Sequence, residues 1–551
     1  MLRRLAILPI LILLISIPIL IDTFTHQGMF FAHDIEQNIA RFGAFYKTLS
    51  EGNIPPQWAD GIANGYGGPI LIFSYSIPYY IATIFRLFGF DLVTSMKLLI
   101  AFVFIGSGVT MFYWLKQHVQ NIAAFGGTLL YLYAPYRISD IYARGSIPEQ
   151  TAFVFVPLVL FGLFTLFRAP SKKTVAFLAL SLSLLFLSHP FFIVIFTPLF
   201  FLYSFYLFKQ QKKKIRFLPY PIFSLILTTG ITAFSLIPLQ LEIKYTHYDI
   251  SPFNGREFYT QYNTFPQLIL PVWSFLGKYG TREYITYQLG LVHWGVFFLS
   301  LPLLIRLWKK KERLFPFAVV AILGFLLSLF FMLPPSFLVY SVIRPLQQIQ
   351  FPWRFLALST TSLAIIYAIL LESTKTQKVL LFCLTFIATL ILYLPFAKGH
   401  DYTYRKDSYY LTEFETNTEG PGTQPRWAAN PENYARPSHP IEIIEGKGVI
   451  IPVKRDTTHH IFEVTSETPV RIVDNTFYFP GWTVAIDGNS TDIQFQDPDY
   501  RGLITFLAPQ GSHTITVSFG PTKVRKLSIG ISAATLLVTL LLLFPMKKRK
   551  A

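Results

Sequence analysis

The chain has 551 residues, 52% of them hydrophobic and only 14% charged, with a mean hydropathy of +0.45. A soluble domain carries closer to a quarter charged residues, so this composition excludes a soluble globular enzyme and points to a polytopic membrane protein. The net charge of +17 does not mark a nucleic-acid binder, because the basic residues fall in short runs between apolar segments, as in Lys209–Arg216, Lys309–Arg313 and Lys547–Lys550, the pattern by which loops set membrane topology.

In chain order the apolar runs are Leu5–Ile21, Pro69–Phe88, Leu92–Leu115, Ile122–Tyr136, Thr151–Phe167, Thr174–Leu187 and Pro190–Phe208. They continue with Phe217–Pro238, Leu289–Ile305, Phe315–Leu333, Phe355–Leu371, Val379–Leu394 and Leu527–Phe544. Most are long enough to cross the hydrocarbon core as helices. The first follows Arg3-Arg4 like a signal peptide, but no small-residue cleavage site comes after it, so it reads as a retained helix. The single cysteine, Cys383, lies inside an apolar run, which excludes an intramolecular disulfide.

Basic loops set the sides. Arg3-Arg4, Arg168–Lys173, Lys209–Arg216, Lys309–Arg313 and the terminal Lys547–Lys550 all fall on the cytoplasmic side if one run between Pro69 and Tyr136 fails to cross. Ile122–Tyr136, the shortest of the three there, is the expected partial helix. Both termini are then cytoplasmic. The loops 22–68, 137–150 and 239–288 are outside, and so is the polar stretch 396–526.

Within that stretch the pattern becomes alternating and β-branched. Ile441–Ile444, Val449–Val453, His460–Val464, Val470–Val473, Trp482–Ile486 and Thr514–Phe519 read as strands. Asp487-Gly488 is a hairpin signal, and Pro480-Gly481 and Gln510-Gly511-Ser512-His513 read as turns. The expected architecture is an all-α polytopic membrane domain of about 12–13 helices over residues 1–395. An extracytoplasmic antiparallel β-sandwich follows over 396–526, and a last membrane helix with a basic tail over 527–551.

Several short motifs occur in a fixed order. The first loop holds His33-Asp34, then Gly52-Asn53-Ile54-Pro55-Pro56-Gln57-Trp58, then Gly65-Tyr66-Gly67-Gly68-Pro69. Tyr136-Arg137, Asp140, Arg144-Gly145 and Glu149 follow, then Gln350-Phe351-Pro352-Trp353-Arg354-Phe355. Last come Pro480-Gly481-Trp482, Asp487-Gly488 and Gly511-Ser512-His513. In these the chain resembles the YfhO-like membrane proteins and those described as related to 6-pyruvoyl-tetrahydropterin synthase, and through them the GT-C glycosyltransferases. No residue pattern for pterin chemistry accompanies the second description. The resemblance implies sugar transfer from a polyprenyl-phosphate donor on the outer face, with an acidic residue of the first loop as base. That role falls on Asp34, with Asp140 and Glu149 as candidates in the second loop. The first loop has Asp34-x-Glu36 and no Asp-x-Asp pair, which leaves use of a divalent cation open; no other cofactor is implied.

The residues themselves allow plainer roles. Ile35, Ile39, Phe42, Tyr46 and Leu49 recur at helical spacing, so Asp34 is also the expected N-cap of a surface helix, with Gln37 completing a capping box. Glu36, two residues on, points to another side of that helix and suits its dipole. His33 could orient a phosphate or carboxylate. Arg144 lies four residues after Asp140, the spacing of a pair on one helix face; its guanidinium fork equally suits a donor phosphate. Arg354 either snorkels to headgroups or grips that phosphate. His189, before Pro190, is either a helix break or a ligand contact.

The expected function is a membrane glycosyltransferase whose partners are membrane lipid, a polyprenyl-phosphate sugar and a glycan, lipid or protein acceptor. Two rivals stand beside it. A lipid or polysaccharide flippase would carry ionisable residues in mid-span, whereas here they gather near loops. A non-catalytic envelope assembly protein would use the β-domain as its binding module.

Overall fold

A computed structural model describes residues 2–211, 217–248, 258–269, 288–374, 377–413, 421–428 and 434–544. The distal part of the Lys209–Arg216 loop, much of 239–288 and the basic tail from Lys547 lie outside the described residues.

The apolar runs fold as helices. They are α1 (Leu2–Thr25), α2 (Ile35–Ser50), α3 (Ile70–Phe73), α4 (Ile77–Leu87), α5 (Leu92–Leu115), α6 (Asn121–Leu132), α7 (Pro135–Tyr142) and α8 (Ile147–Arg168). Then follow α9 (Lys172–Ser188), α10 (Pro190–Lys209), α11 (Pro219–Leu241), α12 (Leu291–Lys309), α13 (Phe315–Met332), α14 (Leu356–Ser373), α15 (Lys378–Tyr393) and α16 (Lys523–Leu543). Among the described residues, nine helical segments are long and apolar enough to cross a membrane. Helix α14 lies at the centre, packed against α6 and α13, with nearly all of its residues buried. Outer helices such as α15 and α16 keep most of their apolar side chains exposed, as a lipid-facing surface requires.

Two runs differ from the long single spans. Helix α6 has only 12 residues, about 18 Å of rise, but it is not the expected partial crossing: the Gln120 amide at its start donates to Glu372 at the far end of α14 at 3.0 Å, and its other end leads into α7 beside Arg354 at the near end of α14. The run Pro69–Phe88 is the interrupted one: Ser74 adopts extended backbone between α3 and α4. The Ser76 amide donates to the Leu187 carbonyl at 3.1 Å, so the break is held against the end of α9, beside His189.

The C-terminal region forms eight antiparallel strands: β1 (Ile441–Glu445), β2 (Gly448–Arg455), β3 (His459–Ser466), β4 (Val470–Phe477), β5 (Trp482–Ile486), β6 (Asn489–Thr491), β7 (Leu503–Ala508) and β8 (Gly511–Phe519). They make one sheet of order β1-β4-β7 and a second of order β2-β3-β8-β5-β6. Phe462, Ile472, Ile504 and Ile515, from both sheets, share one core. Asp487 and Gly488 take positive φ in the two-residue turn joining β5 and β6, as that hairpin requires.

The same core contains Trp58, Ala63 and Tyr66 of the first loop. The Trp58 ring meets Trp482 edge-on at 5.3 Å, and Tyr66 stacks on Phe477 at 5.1 Å. The Phe477 amide donates to the Tyr66 carbonyl at 2.9 Å. The β-domain therefore closes its interior with residues from the beginning of the chain, and the first loop and the β-domain share one end of the helical bundle.

Candidate functional site

Helix α7 starts at Pro135, whose ring suits a first helical position and whose missing N–H costs nothing there. It presents Tyr136, Arg137 and Asp140. A tight turn through Gly145 then starts α8, with Glu149 in the first turn, where the positive end of the helix dipole favours a carboxylate. Arg354 sits in the turn Pro352–Phe355 that leads into α14, and His189 at the break between α9 and α10.

These elements converge. The Glu149 Oε1 atom lies 2.9 Å from Arg144 Nη1 and 3.0 Å from Arg354 Nε, with His189 Nε2 at 3.8 Å. The Tyr136 hydroxyl donates to Oε2 at 2.6 Å. Arg144 also pairs with Asp140, whose other oxygen accepts from the Gln150 amide at 2.9 Å. Arg137 donates to Ser107 at 2.7 Å and to Gln150 at 3.0 Å, between the rings of Phe104 and Phe153. Trp353 covers Arg144 at 4.6 Å. Asp140, Glu149 and Arg137 are all fully buried.

Glu149 is ion-paired with two guanidiniums and accepts a hydrogen bond from the Tyr136 hydroxyl, surroundings that favour an ionised carboxylate. Burial and the nearby Glu149 charge push the Asp140 carboxyl well above the usual carboxylate range. Three arginines thus face two carboxylates, and Arg137 has no carboxylate partner among the described residues. The cluster carries surplus positive charge in a dry setting, where an anion would be strongly held. Arg354 gives Nη1 to the Ile349 carbonyl at 2.9 Å, leaving Nη2 without a hydrogen bond among the described residues. Arg354 does not snorkel; it is 8% exposed and turned inward onto Glu149.

The first loop docks directly on this cluster. The His33 amide donates to the Ala143 carbonyl at 3.1 Å, and the Asp34 amide to the Arg144 carbonyl at 2.8 Å. The Asn38 side chain reaches the Gly145 carbonyl at 3.1 Å. Gly145 makes this approach feasible: its φ is +64°, and a Cβ there would sit 2.8 Å from the Ile35 Cβ.

The expected capping box is absent. Asp34 occupies the N-cap position of α2, but its side chain makes no capping bond. The Asp34 N–H that Gln37 would accept from is taken by the Arg144 carbonyl, and the Asn38 side chain donates to the Asp34 carbonyl at 2.8 Å. The Asp34 carboxylate is half-buried and makes no hydrogen bond or ion pair among the described residues. His33 is exposed beside it. Glu36 is turned elsewhere, toward Arg405 and Tyr410, and burial raises its pKa. His189, Arg144, Arg354, Asp140 and Glu149 are thus brought together with Asp34 at their edge, and Glu36 is not.

Sequence reasoning did not single out Gln150 or Ser107 at all, and met Arg137 only as part of a motif. Their signal is weak before folding: a polar residue near an apolar run reads as interfacial until its partner is known. No group of three or more His, Cys, Asp or Glu residues among the described ones is placed to hold a metal ion.

The fold and this buried ionic centre define a polytopic membrane protein with charged residues gathered at one end of the bundle, under a β-domain. The chain belongs to the 6-pyruvoyl-tetrahydropterin synthase related family of membrane proteins, whose model matches residues 73–396. That match holds Asp140, Glu149, His189 and Arg354 but begins after Asp34. A protein of Lactococcus lactis subsp. cremoris (strain MG1363), described as uncharacterized, is 26% identical over 253 residues, which is 44% of this chain and 41% of that relative. The arabinofuranosyltransferase AftD from Mycobacteria is similar at a TM-score of 0.44 and 12% identity, over 72% of this chain and 26% of that one. The apo oligosaccharyltransferase of Archaeoglobus fulgidus is similar at a TM-score of 0.42 and 12% identity, over 74% and 60%.

Proposed function

We propose that the chain is a membrane glycosyltransferase that moves a sugar from a polyprenyl-phosphate donor to an envelope glycan, lipid or protein on the outer face of the membrane. In this reading the first loop and the β-domain are extracytoplasmic and both termini cytoplasmic, as the distribution of basic loops implies. Asp34 takes the proton of the acceptor hydroxyl as its oxygen bonds to the anomeric carbon. The bond from that carbon to the phosphate oxygen breaks, and the phosphate leaves with the electron pair. Arg144 and Arg354 hold the phosphate and balance the charge that develops on it. Glu149 and Asp140 are positioning residues: Glu149 pairs with both guanidiniums and Asp140 with that of Arg144.

One observation carries this reading. An uncommitted carboxylate, Asp34, is held by its own backbone against Arg144, at the edge of a buried cluster with surplus positive charge. A carboxylate used only as a cap would be bonded to the helix start, and it is not. The test is Asp34→Asn in membranes supplied with radiolabelled polyprenyl-phosphate sugars. Loss of label transfer at normal protein level supports the assignment; undiminished transfer removes it. The sealed contacts of Asp140 and Glu149 also suit a non-catalytic assembly protein with a structural ion cluster. On that reading wild-type membranes transfer no label above those lacking the protein.

A further inference from the structure

The β-domain carries a second feature that the proposed chemistry does not use. A shallow groove of about 380 Å³ runs along the outside of the three-stranded sheet, lined by Arg471, Ile493, Gln494, Phe495, Gln496 and Asp497. That volume is within the range of about 300–1,000 Å³ usual for ligand sites. The segment from Ile493 to Asp497 lies beside β7, tied by the Gln494 amide to the Thr505 carbonyl at 2.7 Å. Gln494 and Gln496 are exposed, and neither side-chain amide makes a hydrogen bond among the described residues.

The chemistry of the groove narrows its ligand. Arg471 bonds to Glu445 at 3.1 Å and to Asp497, so its charge is already neutralised. The groove therefore lacks the surplus positive charge that a phosphate or nucleic acid would need. Its apolar lining is limited to Ile493 and Phe495, too little to hold an acyl or prenyl chain. What it offers is two free amides, each both donor and acceptor, with a fixed guanidinium and a fixed carboxylate. Beside them is a rigid aromatic group: Phe495 stacks on Tyr478 at 3.9 Å and meets Trp427 at 5.0 Å. A sugar ring has hydroxyls that both donate and accept, and C–H faces that pack on aromatic rings.

We infer that this groove binds a neutral saccharide segment of the acceptor glycan. Its description as an acceptor site rests on the glycosyltransferase reading above; the binding of a glycan does not. Gln494 and Gln496 supply the specific hydrogen bonds, and Phe495 the platform. Both glutamines are exposed and unpartnered, so replacing them leaves the fold intact.

The experiment uses the full chain in lipid nanodiscs and defined neutral oligosaccharides of glucose, galactose, rhamnose and N-acetylglucosamine, immobilised for equilibrium binding. The expected result is saturable retention of at least one of them. Its affinity should fall by about tenfold or more in the Gln494→Ala/Gln496→Ala double variant and stay at the wild-type value in Asp34→Asn. No retention by the wild type, or equal retention by the double variant, overturns the groove. Transfer assayed in parallel separates the two ideas. If Asp34→Asn abolishes transfer while the groove variant binds like wild type, the groove fails and the catalytic assignment stands. If groove-dependent binding is seen and Asp34→Asn transfers normally, the reverse holds.

Discussion

Asp34 and Glu149 are both carboxylates at the start of a helix, and their surroundings separate their roles. Glu149 is buried and held by Arg144, Arg354 and Tyr136; Asp34 is half-exposed and held only through its backbone. Removing one member of a buried ion cluster leaves uncompensated charge, so Glu149→Ala should destabilise the helical domain by about 3–5 kcal/mol, read as a lower midpoint in thermal unfolding in nanodiscs. Gly145→Ala should cost about 1–3 kcal/mol from left-handed strain and the clash with Ile35. It should also speed protease cleavage within 26–34, because the first loop loses its seat. Most of these residues were legible in the sequence as polar residues with fixed spacing near apolar runs. What was not legible was their direction: Arg354 turns inward from a position where arginines usually reach for headgroups, and the Arg144 carbonyl takes the Asp34 N–H that Gln37 would have capped. Both outcomes depend on tertiary partners far away in the chain.

The strands and helices differ in how plainly their sequences mark them, for physical reasons. Alternation marked β3 and β5, and Asp487-Gly488 fixed the hairpin. Strand β7 has almost every side chain buried, so it is a continuous apolar run without the alternation that marks a half-buried strand. The run Pro69–Phe88 reads as one span only when its hydropathy is averaged; Ser74, Ser76 and Pro78 inside it are the local signal of the break. Inside the β-domain, Asp474 is fully buried and bonded to His460 at 2.6 Å and Arg455 at 3.2 Å. Burial alone would raise its pKa, but the His460 and Arg455 charges and hydrogen bonds outweigh that and bring it to about 2, from 3.8. A carboxylate with a depressed folded pKa contributes stability that is complete above the unfolded value and is lost as pH falls through the folded one. The β-domain should therefore lose stability between about pH 4 and pH 2, and Asp474→Asn should flatten that dependence. Thermal unfolding followed across that interval checks both.

At the scale of the molecule, the first loop, the β-domain and the last helix form one body through Arg525. This fully buried guanidinium, at the start of α16, lies 3.1 Å from Glu242 after α11 and donates to Gln57 at 2.8 Å and to the Pro480 carbonyl. Arg525→Ala should strand Glu242 in a buried site and loosen all three. Faster amide exchange at residues 53–66 and 478–482, with helices α13 and α14 unchanged, would be the sign; uniform exchange would count against the tie. The sequence placed the β-domain as a separate unit because nothing in Trp58 or Tyr66 signals that they complete a core more than 400 residues away. The same first loop is bonded through the Asp34 amide to the Arg144 carbonyl, at the edge of the buried arginines, where the proposed base sits. The most direct test of that role is transfer of labelled sugar from a polyprenyl-phosphate donor by wild-type and Asp34→Asn membranes matched for protein level. Loss of the general base should lower the rate by about 10²–10⁴-fold with unfolding temperature unchanged. A variant that transfers sugar at the wild-type rate would contradict the account.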